Sequence, residues 1–282
     1  MQFGVNTWVW TSPLSDAELA ALVPKVVEFG FDWIELPIET PDEFDYARAG
    51  TLIRAHGLGV SVGAAMGLDR DLIHPDEAIR ANGAAYLRHC IDATHTIGAH
   101  TLMGPMYAAV GRTWQMTAEE RERDMVVLVA ALRELAEYAA MRDVVLCIEP
   151  LNRFETSFLN LASQAIELID RVDHPSCQLM LDTFHMNIEE RSLGDAIRAA
   201  GPRLRHVHAC ENDRGAPGSG HVPWDDVALA LREIGYAGPV VIESFTSKVK
   251  TIARAAAIWR SLADTQDLLA CDGLAFLKEL LA

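Results

Sequence analysis

The sequence predicts an α/β fold, a closed (β/α)8 or TIM barrel with a helical C-terminal extension, on three observations. Eight short apolar segments alternate with longer amphipathic stretches at a repeat of roughly 30 residues. No GxGxxG follows a strand and no GxxxxGK[ST] occurs, so an open doubly wound sheet would lack its phosphate cradle. The length, 282 residues, suits one barrel of about 250 residues. No Pro/Ser-rich linker or charge block divides the chain, so 1–282 reads as a single domain.

The strands follow in order as Gln2–Val5, Trp33–Leu36, Gly59–Val62, Thr101–Met103, Val144–Ile148, Gln178–Leu181, Arg205–Val207 and Pro239–Ile242. Two of the intervening helices open on capping boxes, Ser15 to Glu18 and Thr117 to Glu120. There the hydroxyl accepts an orphan amide and the glutamate reaches back. From Glu119 to Met141, Val126, Leu128, Val129, Leu132, Leu135 and Ala136 recur at helical steps, with charges between them. Gly215–Gly220 reads as a loop. In the last 35 residues Ile258, Trp259, Leu268 and Leu269 are the apolar anchors of a helical extension, placed to close the barrel floor or to pack a dimer.

Composition excludes several functions. Asp and Glu number 40 against 24 Lys and Arg, a net charge of −16. That surplus repels phosphodiester backbones, so no nucleic-acid partner is expected. The longest apolar run, Met125 to Leu132, falls far short of the roughly 20 residues of a membrane span. The opening MQFGVNTWVW has neither a basic leader nor a small-residue cleavage site. Five scattered cysteines without a CxxC pair argue against a disulfide framework or a thiolate zinc site. A cytoplasmic homodimer or homotetramer is the expectation.

The informative pattern lies where the last four strands end. They run into Glu149, Asp182, His208 and Glu243. In a barrel these positions share the C-terminal rim, where active sites are built. Three carboxylates brought together with one imidazole demand a cation. The donor set suits Mn²⁺, Mg²⁺ or Co²⁺ better than a structural zinc.

Three stretches make the sequence recognisable: IEPLNRFET (Ile148–Thr156), LDTFHMNIEE (Leu181–Glu190) and HACENDRGAPGSGHVPW (His208–Trp224). VVIESF (Val240–Phe245) and a helix carrying Ile258, Trp259 and Arg260 add to them. The chain resembles the D-tagatose 3-epimerase family of ketose 3-epimerases, within the xylose-isomerase-like barrels, nearly end to end. The resemblance implies a metal, Mn²⁺ or Co²⁺, held by Glu149, Asp182, His208 and Glu243, with the two glutamates doubling as acid and base. It also implies ketose contacts from Glu155, His185 and Arg214. Three positions depart from the family pattern: Pro150, Ser244 and Cys210, the last adding bulk near His208 and Arg214.

The chemistry so implied is inversion at C3 of a free ketose, such as D-fructose/D-allulose, D-tagatose/D-sorbose or L-ribulose/L-xylulose, through a cis-enediolate. Each contact residue also has a plainer reading: His185 as a buttress for Asp182, Arg214 as a loop cation, Glu155 as a partner of Arg153. His206 is expected to pack and Glu211 to support the ligands from behind. Trp8, Trp10, Trp114 and Met66 are candidates for an apolar wall. The rival functions are an aldose–ketose isomerase of the same barrel type, a sugar-phosphate isomerase or epimerase using Gly215, Gly218 and Gly220, an abasic-site endonuclease, and a non-catalytic sugar-binding barrel.

Overall fold

The computed structural model describes residues 1–282. Eight strands form a closed, all-parallel barrel in chain order. They are β1 (Gln2–Asn6), β2 (Trp33–Pro37), β3 (Gly59–Gly63), β4 (Thr101–Gly104), β5 (Val145–Ile148), β6 (Cys177–Asp182), β7 (Leu204–Ala209) and β8 (Pro239–Ile242). β8 returns to β1 with Phe3 beside Val240 and Val5 beside Ile242.

Six strands run one or two residues further at their C-terminal ends than side-chain polarity suggests. Ladder hydrogen bonds are made by the backbone, so Asn6, Asp182 and His208 stay paired despite polar side chains. Asp182 and His208 therefore lie within strands, as register partners, whereas Glu149 and Glu243 follow theirs directly.

The helices are α1 (Asp16–Glu28), α2 (Tyr46–Ala55), α3 (Glu77–Ile97), α4 (Ala118–Ala140), α5 (Ala162–Val172), α6 (Thr183–Glu189), α7 (Leu193–Ala200), α8 (Trp224–Glu233), α9 (Lys250–Ala255) and α10 (Gln266–Leu280). Both capping boxes form: the Ser15 hydroxyl accepts from the Glu18 amide while Glu18 accepts from the Ser15 amide, and Thr117 and Glu120 repeat the exchange. In α4 the buried stripe is Met125, Leu128, Leu132, Leu135, Ala136 and Ala139. Val126, expected on that stripe, is 55% exposed; it lies one step, about 100°, round the helix from Met125.

The helical C-terminal segment is present as α9 and α10. α10 fills the place of the eighth wall helix against β1, β8 and α8, rather than closing the floor. Its Asp267 accepts from Trp10 Nε1 at 2.6 Å and Lys25 Nζ at 2.7 Å. Ile258, Trp259 and Arg260 are not helical: they sit in the connection between α9 and α10. Ile258 is buried there against Phe245 and Ile252, and Trp259 is 75% exposed.

One apolar cluster of 73 residues fills the space between barrel and helices. A separate small cluster of Met103, Cys147 and Met180 lies on the inward strand face. Side chains alternate along a strand, so the face that carries Cys147, Met180, His206 and Val241 also carries Glu149, Asp182, His208 and Glu243 two residues further on. Deeper in the barrel Trp33 donates from Nε1 to Ser61 Oγ at 3.0 Å. A Cβ at Gly59 would come within 2.0 Å of the Trp33 indole, so only glycine leaves room for that ring.

Candidate active site

The rim of the barrel opens into a cavity of about 530 Å³ lined by Glu149, Glu155, His185, His208, Arg214 and Glu243. That size falls in the range of roughly 300–1,000 Å³ usual for small-molecule sites. Asp182, His208 and Glu243 each bring a ligand atom within 4.8 Å of the others, and Glu149, Asp182 and His185 do the same. Asp182 belongs to both groups and so links Glu149 to His208 and Glu243. All are buried.

His208 is held from behind. Its Nε2 lies 2.7 Å from Glu35 Oε1, which fixes the proton on that nitrogen and turns Nδ1 toward the cavity. There Nδ1 is buried without a hydrogen-bond partner, 3.5 Å from Glu243 Oε1. Carboxylate-backed imidazoles are the usual arrangement of metal-binding histidines. Burial alone would lower the His208 pKa, but Glu35 and Glu243 outweigh it and raise it well above the ordinary value. A field that draws a proton to Nδ1 draws a metal cation equally. An orphaned imidazole nitrogen beside the Asp182 and Glu243 oxygens therefore fits a divalent cation.

Glu35 is the residue that sequence reasoning missed. Completely buried in β2, it accepts from Asn6 Nδ2 and Ser61 Oγ, both at 2.8 Å, as well as from His208. His206 Nε2 stands 2.8 Å from its other oxygen. Burial would raise its pKa, yet the two histidines outweigh that and hold it low. Glu35 thereby ties His206 and His208 together behind the rim. The available signal was an acid in the middle of the apolar strand Trp33–Pro37.

Arg214 enters the cavity from the loop after β7. Its Nη1 donates to Asp182 Oδ2 at 2.6 Å and Glu243 Oε2 at 2.7 Å, and the guanidinium stacks over Phe184 at 3.9 Å. It is a buried partner of the acids, not a solvated loop cation. The backbone is left-handed there, φ +69°, and two of the three departures from the family pattern contact this residue. Ser244 Oγ donates to the Arg214 carbonyl at 2.6 Å, and Cys210 Sγ lies 3.3 Å from Nη1 and 2.8 Å from the Glu243 carbonyl. Cys210 packs behind Arg214 and does not line the cavity, so its bulk leaves the pocket open.

His185 Nδ1 accepts from the Asn152 amide at 3.0 Å. Its Nε2 lies 3.2 Å from Arg214 Nη2 and 3.7 Å from both Glu149 and Asp182. Burial, reinforced by Arg214, drops its pKa to about 3, so the ring is neutral. Asn152 also donates to Glu155 at 2.8 Å. Arg153 pairs instead with Glu189, which leaves Glu155 facing the cavity. Burial raises the Glu155 pKa against the pull of Arg214.

The two glutamates differ. Burial and then the Glu243 charge push the Glu149 pKa well up. For Glu243 burial is outweighed by His208 and Arg214, and its pKa is lowered. One rim thus carries a proton-holding and a proton-accepting carboxyl, and a dication between them would lower both.

Other expectations divide. Trp8 and Met66 line the cavity; Trp10 does not, and Trp114 is half exposed under the Arg112 guanidinium. Glu211 does not support the ligands. Its carboxylate accepts from Trp224 Nε1 and the amides of Asn212, Gly218 and Val222, closing the loop after β7 on itself.

The family model described as xylose isomerase-like TIM barrel matches residues 23–279. The chain belongs to that family. Within it the chain stands among the ketose 3-epimerases, enzymes of the isomerase class. It is 32% identical over 281 residues to an L-ribulose 3-epimerase of Methylomonas sp. strain DH-1, covering 99% of this chain and 97% of that one. To a D-psicose 3-epimerase of Agrobacterium fabrum it is 33% identical over 275 residues, 96% and 94% of the two chains. A crystal structure of D-allulose 3-epimerase from Methylomonas sp. in complex with D-allulose superposes with a TM-score of 0.93 at 32% identity, covering 99% and 96%. No helix here is long and apolar enough to cross a membrane, and all five cysteines are free.

Proposed function

We propose that this ketose 3-epimerase inverts C3 of free ketoses with the help of a divalent cation, Mn²⁺ first and Co²⁺ or Mg²⁺ as substitutes. Glu149, Asp182, His208 and Glu243 would hold it. The observation that carries the reading is the buried, unpartnered Nδ1 of His208 set beside Asp182 and Glu243, with Glu149 lining the same cavity. When bound, such a cation polarises the ketose carbonyl and stabilises the developing oxyanion by several kcal/mol.

The chain's own groups do the rest. One glutamate removes the C3 proton from one face and the other returns a proton to the opposite face, passing through a cis-enediolate. The order reverses with the C3 configuration of the substrate. The Arg214 guanidinium, with the neutral His185 ring against it, supplies hydrogen bonds to the oxygens that gain charge. Glu155, held by Asn152, accepts from a sugar hydroxyl. Trp8, Met66 and Phe245 keep water from the apolar face of the sugar. D-fructose/D-allulose, D-tagatose/D-sorbose and L-ribulose/L-xylulose are the candidate pairs, and the whole chain is read as one domain.

The test follows solvent deuterium. Protein loaded with Mn²⁺ is given each ketose in D₂O and observed by NMR; label is expected at C3. Label at C1 alone would make it an aldose–ketose isomerase. Glu149→Gln and Glu243→Gln are each expected to abolish C3 exchange, and full activity in either would sink the two-glutamate mechanism. A phosphate held by the loop after β7 is disfavoured, because Glu211 already takes the amides of Gly218 and Val222.

A further inference from the structure

The cavity is lined by two arginines, Arg70 and Arg214. Arg214 Nη1 is held by Asp182 and Glu243, but Arg70 has no such partner. Its guanidinium carbon lies over the Tyr86 ring, 4.0 Å from the centroid. Both Nη atoms reach only the Glu39 carbonyl, at 3.5 Å, and Nε is buried without a hydrogen bond. The nearest acids are committed or remote. Asp71 is buried against Arg112 and caps the Ile73 amide. Glu39 turns Oε1 to Trp8 Nε1 and Ser12 Oγ. Asp69 stands 3.5 Å from Nε with its side chain 72% exposed, where water screens the pair.

The position on the ring matters. Arg70 follows β3 and Glu39 follows β2, opposite β6 and β7 in the closed order. A sugar whose reacting carbons lie at the β5–β8 side therefore directs its far end toward Arg70, past the small residues Gly63, Ala64 and Gly104. A rigid planar fork with unused donors matches a planar carboxylate. A phosphate dianion would call for a second cation or free amides, and no other arginine and no lysine lines the cavity.

We propose that Arg70 anchors a carboxylate on the terminal carbon of the substrate, so that the cavity accepts ketoses oxidised at that carbon and holds them more tightly than the unsubstituted sugar. This deepens the epimerase reading above and rests on it for the orientation of the sugar. The test compares D-fructose, D-fructuronate and D-fructose 6-phosphate on the Mn²⁺-loaded full chain, by calorimetric binding and by C3 exchange in D₂O. The wild type is expected to bind D-fructuronate about tenfold or more tightly than D-fructose, a charge-assisted pair's worth. Arg70→Met should bring that ratio close to one and Arg70→Lys should restore part of it. Equal wild-type affinities for D-fructose and D-fructuronate overturn the proposal, as does tighter binding of D-fructose 6-phosphate than of D-fructuronate. Loss of C3 exchange on every ketose overturns the epimerase reading instead, and the calorimetric ratio still decides on Arg70. The wild-type ratio stands as a test even if Arg70→Met fails to fold.

Discussion

Glu35 shows how a site depends on a residue that never enters it. Its carboxylate fixes the His208 proton on Nε2 and leaves Nδ1 free for a cation. Glu35→Gln keeps the shape but removes the charge, and a loss of about 10- to 100-fold in Mn²⁺ affinity is expected. Unchanged affinity in a metal titration would dismiss this role. Glu43 offers a pH signature away from the site. Burial, helped by Glu39, raises its pKa to about 7 against two backbone amides that favour the charge. The folded chain therefore holds a proton that the unfolded chain has released, so Glu43 contributes stability below about pH 4.5 that is lost as pH rises through about 7. Denaturant midpoints followed across that window should fall with pH in the wild type and lose that slope in Glu43→Gln. At this scale the sequence showed Glu149, Asp182, His208 and Glu243, because each ends an apolar strand. It did not show Glu35 or Arg70, whose roles depend on neighbours 173 and 31 residues away in the chain.

Strands and helices were the most legible part. Periodicity and capping boxes are local properties, and all eight strands and both capped helices stand where they were expected. The failures are just as physical. Val126 passes an apolar test yet faces outward, because 3.6 residues per turn gives the core one stripe and Met125 holds it. Ile258 and Trp259 read as helical anchors, but the chain between α9 and α10 folds Ile258 down on Phe245 and leaves Trp259 outside. Gly59 is where one strand yields to another: the Trp33 ring occupies the space of its missing Cβ. Gly59→Ala is expected to cost about 1–3 kcal/mol by overpacking. A denaturant melt checks it, and an unchanged midpoint would mean that the indole is free to move.

The whole molecule collects charge of one sign at the end of a barrel. Glu149, Asp182 and Glu243, with Glu155 beside them, meet one arginine, His208 and a neutral His185. A cation bound to the folded chain alone should stabilise it by about 2.7 kcal/mol at a hundredfold excess over Kd. For a chain of this size that is a rise of several degrees in Tm. Mn²⁺ added to chelator-treated protein should produce it, and Asp182→Asn should blunt it; a flat response to Mn²⁺, Co²⁺ and Mg²⁺ alike would remove the cation from the reading.

By itself the sequence determined the barrel, the strand order and the four rim residues, since strand patterning and chain order are one-dimensional. It also carried the family through the stretches around Glu149, Asp182 and His208. Tertiary structure decided which side chains share a cavity and what each already spends its hydrogen bonds on. Only there does Glu211 turn out to bind its own loop, Arg153 choose Glu189 over Glu155, and Arg70 keep donors to spare. Those outcomes turn on distances of a few ångströms between residues far apart in the chain, and hydrogen bonds and ion pairs decay over just that range.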